Sequence, residues 1–391
     1  MTESRRRFLK SVAALPAAAS VPALSPQDPP RDVYKELGIR PLINAAGTYT
    51  YLSASLMPRP VLEAIESASR RYVNLNELHA AVGKKIAGLI GCQAALVTAG
   101  AASALTMATA ACVAGKDSDK IKRLPDTTGM KNEVLIPKGH RNGYDHAVRN
   151  VGTRLIEVET LADAAKAVTD RTAMLLYFNH HGPHGKITVD EFAALGKEKS
   201  IPTLIDAAAD IPPVENYSRF LKMGYDLAAF SGGKVLRGPQ CSGMLLGRKD
   251  LIEAAAANNS PQTDAIGRTN KVGKEEIVGL WAALDHFLHQ DQAAMWKDWE
   301  RRCAVIAAQA AAVAGVKAEV FVPEINNAVP HLKVTWAGGI APAEAVKRLR
   351  DGDPRIEIRA TLPDGLEVGV FMLQPGEDEI VGRRLREVLG K

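Results

Sequence analysis

The chain has 391 residues, 46% of them hydrophobic, and 49 basic against 44 acidic side chains give a formal net charge of +5. Arg5, Arg6, Arg7 and Lys10 against Glu3 place +3 in the first 25 residues, so the remainder carries about +2, which excludes the electrostatic footprint of a nucleic-acid-binding protein. Cys92, Cys112, Cys241 and Cys303 show no metal-type spacing, and Cys92 and Cys112 fall in segments that read as core, so free buried thiols are expected.

Ser4-Arg5-Arg6-Arg7-Phe8-Leu9-Lys10 is a basic segment with paired arginines, followed from Ser11 to Leu24 by an alanine-rich, weakly apolar stretch too short to remain as a membrane span. The order reads as a twin-arginine export signal, with Ala17-Ala18-Ala19 as a processing region, and predicts a folded protein delivered by the twin-arginine machinery to the periplasm or outside the cell. Residues 1–30 are therefore set apart as signal and linker.

From there the chain alternates strands and helices. Ala94–Thr98 reads as a strand running into Gly100-Ala101-Ala102-Ser103 and a long small-residue helix, so residues 100–103 present backbone N–H groups at a helix start, a cup for a phosphate. Val134–Pro137, Arg154–Val158 and Ala173–Phe178 follow as strands. Ile201–Asp206 is a short strand ending in an acid, and Asp226–Phe230 is an apolar run leading to Ser231-Gly232-Gly233-Lys234, which places the lysine 28 positions after Asp206. Cup, acid and lysine, each at a strand end, are how a doubly wound sheet gathers a site at the carboxyl edge of its strands. The set matches the needs of pyridoxal phosphate: Lys234 as the Schiff-base amine, partly desolvated among small residues; Asp206 as partner of the ring nitrogen; Ser231 as a further hydroxyl for the phosphate. Taken singly each has a blander reading, as a loop lysine, a helix-capping acid and a packing motif.

Beyond Gly273 the pattern changes to two long helices from Lys274 to about Ala314, strands at Ala318–Pro323 and Val329–Trp336, a helix near Ala341–Arg350, and a strand pair turned by Pro363-Asp364-Gly365. The expected organisation is an α/β protein: a large domain over 31–272, with a mostly parallel seven-stranded sheet covered by helices, and a smaller C-terminal α/β domain over 273–391.

Four motifs carry a family resemblance: Asn44-Ala45-Ala46-Gly47-Thr48 with Met57-Pro58; Val97 to Leu105; Pro137-Lys138-Gly139-His140-Arg141-Asn142-Gly143-Tyr144-Asp145-His146; and Ser231-Gly232-Gly233-Lys234 with Arg237-Gly238-Pro239-Gln240. A fifth stretch, Gly267 to Glu276, adds to them. The chain resembles the selenium transferase-related family of fold type I pyridoxal phosphate enzymes, and within it the glucosaminate-phosphate ammonia-lyase type. Gly233 departs from the acid usual in the selenium transferases, which also carry an N-terminal RNA-binding domain, and both departures weigh against the transferase reaction. The resemblance implies a homodimer or larger ring with active sites completed by neighbouring subunits. It also implies a side chain flat against the pyridine ring, His140 ahead of Tyr144.

Arginines are expected to hold the substrate carboxylate or other acidic groups, because a planar fork fixes the bond to be broken relative to the ring. Arg141, Arg268 and Arg355 are the candidates, Arg355 because Asp353-Pro354-Arg355-Ile356 resembles the relatives' small-domain arginine; Arg237 is a candidate for the phosphate. Phe178-Asn179-His180-His181-Gly182-Pro183-His184-Gly185 puts histidines after a strand, His181 facing substrate, without the fixed spacing of a metal site. The expected reaction is α,β-elimination from a β-hydroxy amino acid or amino sugar acid, with Lys234 as the base for the Cα proton, giving a 2-keto acid and ammonia. Racemisation, aldol cleavage and transamination remain open from the residues, as does cofactor binding without catalysis.

Overall fold

The computed structural model describes residues 31–390, so the segment expected to be an export signal lies outside the described residues. Two compact units part at Pro41. In the first, Asp32 caps one helical turn, Val33–Glu36, by accepting from the Lys35 amide. The second begins at Leu42 and holds all the elements below.

A two-residue strand, β1 (Ile43–Asn44), is followed by helices α1 (Arg59–Ser69) and α2 (Leu75–Ile90). Asn74 starts α2 by accepting from the amides of Asn76 and Glu77, and Gly91 ends it in the left-handed region at φ 76°. Then come β2 (Ala94–Thr98), α3 (Gly100–Ala114), β3 (Glu133–Pro137), β4 (Arg154–Val158), β5 (Thr172–Phe178), α4 (Val189–Lys199), β6 (Thr203–Asp206), α5 (Asn216–Met223), β7 (Leu227–Ser231), β8 (Gly243–Gly247) and α6 (Lys249–Asn258). The sheet order is β2-β8-β7-β6-β5-β3-β4, parallel except for β8, which runs antiparallel to both β2 and β7. Every residue of β3 and β5 is buried, because helices cover both faces of the sheet. Leu96, Leu105, Met174, Leu204 and Leu245 fill one face, and Tyr177, Phe192, Ile205, Phe220 and Phe230 fill the other. The alanines of α3 let that helix lie close on the first face, where it is buried almost all round.

The C-terminal part holds α7 (Lys274–His289), α8 (Gln292–Ala311), β9 (Val316–Phe321), β10 (His331–Trp336), α9 (Pro342–Asp351), β11 (Ile356–Glu357), β12 (Arg359–Leu362), β13 (Gly365–Gly369) and α10 (Glu377–Leu389). Four of its strands form an antiparallel sheet in the order β12-β13-β10-β9. β11 instead pairs in parallel with β1, Ile43 opposite Ile356 and Asn44 opposite Glu357. One apolar core runs without a break from Ile43 and Val61 through Phe230 and Leu280 to Trp299, Leu332 and Val381. All four cysteines are free; Cys303 is buried, Cys92 and Cys112 are half-buried and Cys241 is exposed. Among the described residues no helix is long and apolar enough to cross a membrane.

Candidate active site

The cup forms where β2 passes directly into α3. Gly100 adopts φ 85° at that junction, and Thr98 Oγ1 donates to its carbonyl at 3.0 Å. Gly243 of β8 lies beneath: a Cβ there would come within 2.5 Å of the Gly100 carbonyl carbon and 2.7 Å of the Ala101 nitrogen. No side chain caps the start of α3, and the hydroxyl of Ser103 is buried without a partner. An uncapped amino end of a 15-residue helix beside an orphaned hydroxyl is suited to a phosphate. A cavity of about 480 Å³ opens there, lined by Ala102, Ser103, Tyr144, Thr269 and Lys271 among others.

Lys234 is presented by a tight loop between β7 and β8. The Gly232 amide donates to the Ser242 carbonyl at 2.8 Å, the Gly238 amide to the Gly232 carbonyl at 2.8 Å, and the Arg237 amide to the Lys234 carbonyl at 2.9 Å. Both glycines are required by packing, since a Cβ would meet Ser242 Oγ at 2.2 Å from Gly232 and Gln240 Cα at 2.7 Å from Gly233. Residues 50–56 strap this loop from outside: Ser55 Oγ donates to the Gly233 carbonyl at 2.8 Å and Gln240 Nε2 to the Thr50 carbonyl at 2.9 Å. Burial lowers the pKa of the Lys234 amine, against the opposing charges of Asp206 and Asp210. Asp206, at the end of β6, accepts from the Ala208 amide at 2.9 Å. Burial pushes its carboxyl up to about 6, with the Ala208 amide and Lys234 pulling the other way. Ser231 closes β7, half-buried, its amide reaching the Ala208 carbonyl at 3.4 Å.

The remaining expected residues are placed differently. His140 has no exposed surface: its ring packs edge-on against Tyr177 at 4.4 Å, and its Nδ1 accepts from the Phe178 amide at 3.3 Å. Tyr144, the alternative to His140, is 65% exposed and lines the cup cavity. Burial, with His181 nearby, brings the His140 pKa down to about 4. His181 is half-buried, 5.7 Å from the His140 ring and 4.6 Å from that of His180. Arg141, expected beside the ring, pairs with two acids, Asp145 at 2.7 Å and Glu157 at 2.6 Å. Arg355 likewise pairs with the buried Glu357 at 2.7 Å, an acid it shares with Arg350. Arg237 turns to the strap instead of the cup, donating to the Leu56 carbonyl at 2.7 Å from a left-handed backbone at φ 59°. Arg268 lies exposed on the loop before α7.

Two groups at the site were not picked out by the sequence. Asn179, just past β5, donates to Asp210 at 2.9 Å, and both side chains are buried. The signal was there: Asp210 is a second acid four residues after Asp206, and Asn179 directly follows the apolar run of β5. Among the described residues no group of three or more His, Cys, Asp or Glu is arranged to hold a metal ion.

A buried amine opposed by a strand-end carboxylate, with an uncapped helix start and an orphaned hydroxyl nearby, is a donor set that fits pyridoxal phosphate: Lys234 for the aldehyde, Asp206 for the ring nitrogen, residues 100–103 for the phosphate. Comparison with known proteins agrees. The chain is 32% identical over 374 residues to a 5'-C-glycyluridine monooxygenase-decarboxylase of a Streptomyces species, covering 91% of this chain and 92% of that one. It is 29% identical over 376 residues to a D-glucosaminate-6-phosphate ammonia lyase of Salmonella typhimurium, covering 91% and 98%. A solved structure of D-glucosaminate-6-phosphate ammonia-lyase superposes with a TM-score of 0.81 at 26% identity, over 92% of this chain and 99% of that one. More distant solved structures, a NifS-like protein among them at 15% identity and a TM-score of 0.58, share the fold. The family profile described as L-seryl-tRNA selenium transferase matches residues 42–314, so the chain belongs to that family of fold type I, pyridoxal-phosphate-dependent enzymes.

Proposed function

We propose that the protein is an ammonia-lyase acting on a β-hydroxy amino acid or an amino sugar acid. The observation that carries the reading is the match along nearly the whole length of an ammonia-lyase structure, joined to a site that keeps Lys234 and Asp206 together at the carboxyl edge of the sheet. When bound, pyridoxal phosphate supplies an electron sink that makes the Cα proton of an amino acid removable. Lys234 Nζ, its ammonium form disfavoured by burial, is the base that takes this proton and returns one to the departing β-hydroxyl. Asp206 is the residue that would hold a proton at the cofactor's ring nitrogen. The Cα–H and Cβ–O bonds break, water leaves and re-enters, and the substrate ends as a 2-keto acid and ammonia. Arg268 and Lys271, on the loop beside the cup cavity, are the basic groups for the acidic end of the substrate; Arg141 and Arg355 would first have to leave their carboxylates.

The test is Lys234→Ala beside wild type, each reconstituted with the cofactor and offered a panel of β-hydroxy amino acids and amino sugar acids. Wild type is expected to absorb in the visible and to release ammonia and keto acid in equal amounts from one panel member. The variant should lose the lysine-linked band and at least 10³-fold of the rate. A second reading, decarboxylation with uptake of oxygen, is favoured by the 32% identity to the monooxygenase-decarboxylase, and oxygen consumption with carbon dioxide release would select it. Inverted substrate without ammonia would select racemisation. We further propose that the substrate is a small molecule reached after twin-arginine export, supported by Arg5 and Arg6 before Phe8 and by the low remaining charge; replacing both arginines by lysine should leave the protein in the cytoplasm. A homodimer or larger assembly is supported by the exposed Tyr51, Tyr72 and Tyr144, and light scattering on the eluted protein would give its mass.

A further inference from the structure

After β6 the chain does not leave the sheet at once. The Ala207 amide donates to the Ala229 carbonyl at 3.0 Å and the Ser231 amide to the Ala208 carbonyl at 3.4 Å, so residues 207–210 stay beside the end of β7 and the loop that carries Lys234. Asp210, 4% exposed, closes this segment. One of its oxygens accepts from Asn179 Nδ2 at 2.9 Å, the other from the backbone amide of Asn326 at 3.3 Å. Asn216 Nδ2 holds its carbonyl at 2.7 Å. The Asn327 amide donates to the Ala209 carbonyl at 2.6 Å, and Asn326 and Asn327 are both left-handed, at φ 58° and 48°. Two consecutive residues in that region persist only where the surroundings hold them, and here residues 209–210 do so. His180 meets Asn326 from the other side, so the turn is gripped by the segments that follow both β5 and β6.

We propose that Asp210 is a positioning residue of the active site: its carboxylate latches the 324–329 segment of the C-terminal part onto the carboxyl edge of β6, and it adds to Asp206 a second negative charge within electrostatic reach of the Lys234 amine. The charged and titratable groups acting on this pair are few. Lys234 feels Asp206 and Asp210, while Asp210 feels Lys234 and His180. An ionised Asp210 favours the ammonium form of Lys234, opposing the burial that favours the free amine. The inference rests on Lys234 being the cofactor lysine and is independent of which substrate is turned over.

It is tested on cofactor-free protein, by trace acetylation of Lys234 as a function of pH, read by mass spectrometry. Asp210→Asn keeps the shape and a carbonyl acceptor but removes the charge. The labelling midpoint of Lys234 should fall by about one pH unit, with melting temperature and circular dichroism near wild type. A folded Asp210→Asn protein with the wild-type midpoint overturns the proposal. If that variant does not fold, Asp210→Glu decides. It keeps the charge and displaces the latch, so the midpoint should stay near wild type while amide exchange of residues 324–329 rises about tenfold. A midpoint that falls in Asp210→Glu as well would show that the carboxylate does not set the amine, and unchanged exchange over 324–329 would show that it does not hold the turn; either result overturns the proposal.

Discussion

Asp206 combines two demands that conflict in the free protein. To serve a ring nitrogen it must be anionic, yet burial pushes its carboxyl from 3.8 up to about 6. The folded state thus holds this proton more tightly than the unfolded chain does. The stability contributed by the protonated form is complete below about pH 4 and is lost as the pH rises through about 6. Cofactor-free wild type should therefore lose melting temperature relative to Asp206→Asn between those limits, with a constant gap above them. Thermal melts of both proteins across pH 4–8 check this. A wild type that gains on the variant over the same range would mean that attraction to Lys234 outweighs burial. Lys234 and Asp206 stood out in the sequence because Asp206 ends an apolar run and Lys234 follows another by a few small residues, and a strand end is a place that one-dimensional pattern marks. The arginines were not. Whether Arg141 is available depends on Asp145 and on Glu157 of the neighbouring strand β4, and only pairing brings Glu157 to it.

Among the elements, the junction of β2, α3 and β8 shows how a cofactor cup depends on a strand far away in sequence. The small residues after Thr98 suggested the cup, but the support beneath it is Gly243, in a short strand whose Gly-Met-Leu-Leu-Gly composition gives no alternating signal and was not anticipated. β11 escaped for a similar reason: two residues, paired with a segment more than 300 positions earlier, leave no local pattern. By contrast α7 and α8 emerged within a few residues of their expected bounds, since apolar positions at helical spacing run through both. The arrangement at Gly243 makes a specific prediction. In Gly243→Ala the new methyl must displace the backbone of Gly100 and Ala101, not a flexible side chain, so α3 shifts at its first turn. Overpacking of this kind costs about 1–3 kcal/mol. The variant should melt several degrees lower and bind pyridoxal phosphate at least tenfold more weakly, as measured by titrating the visible band. Gly100→Ala should also weaken binding, though for a different reason: it has open space around it and suffers from its backbone angle. If Gly243→Ala binds the cofactor as wild type does, the cup does not rest on β8.

At the scale of the whole molecule, residues 42–56 join regions that the sequence had suggested were separate. Their first residues pair with β11, and the Gly369 amide donates to the Ala45 carbonyl at 2.8 Å; a few residues later Thr50, Ser55 and Leu56 grip the loop around Lys234. Asn44 fixes the bend between the two tasks, accepting from the amides of Ala46 and Gly47 and donating to the Gly47 carbonyl. The same apolar core that packs Phe230 and Leu280 continues to Leu332, Val368 and Val381. Parts that share a core and a strap have little reason to unfold in turn, because opening either one exposes the buried face of the other. Scanning calorimetry of the cofactor-free protein should accordingly show a single transition whose calorimetric and van't Hoff enthalpies agree. Residues 273–391 expressed alone should be insoluble or molten, lacking β1 for β11 and the covering for α7. Two resolved transitions, or a soluble fragment with a native near-ultraviolet spectrum, would show that the C-terminal part folds independently and that the strap only docks it. In that case the latch at Asp210 and the Asn44 bend would be hinges, and their variants would change substrate affinity before they changed stability.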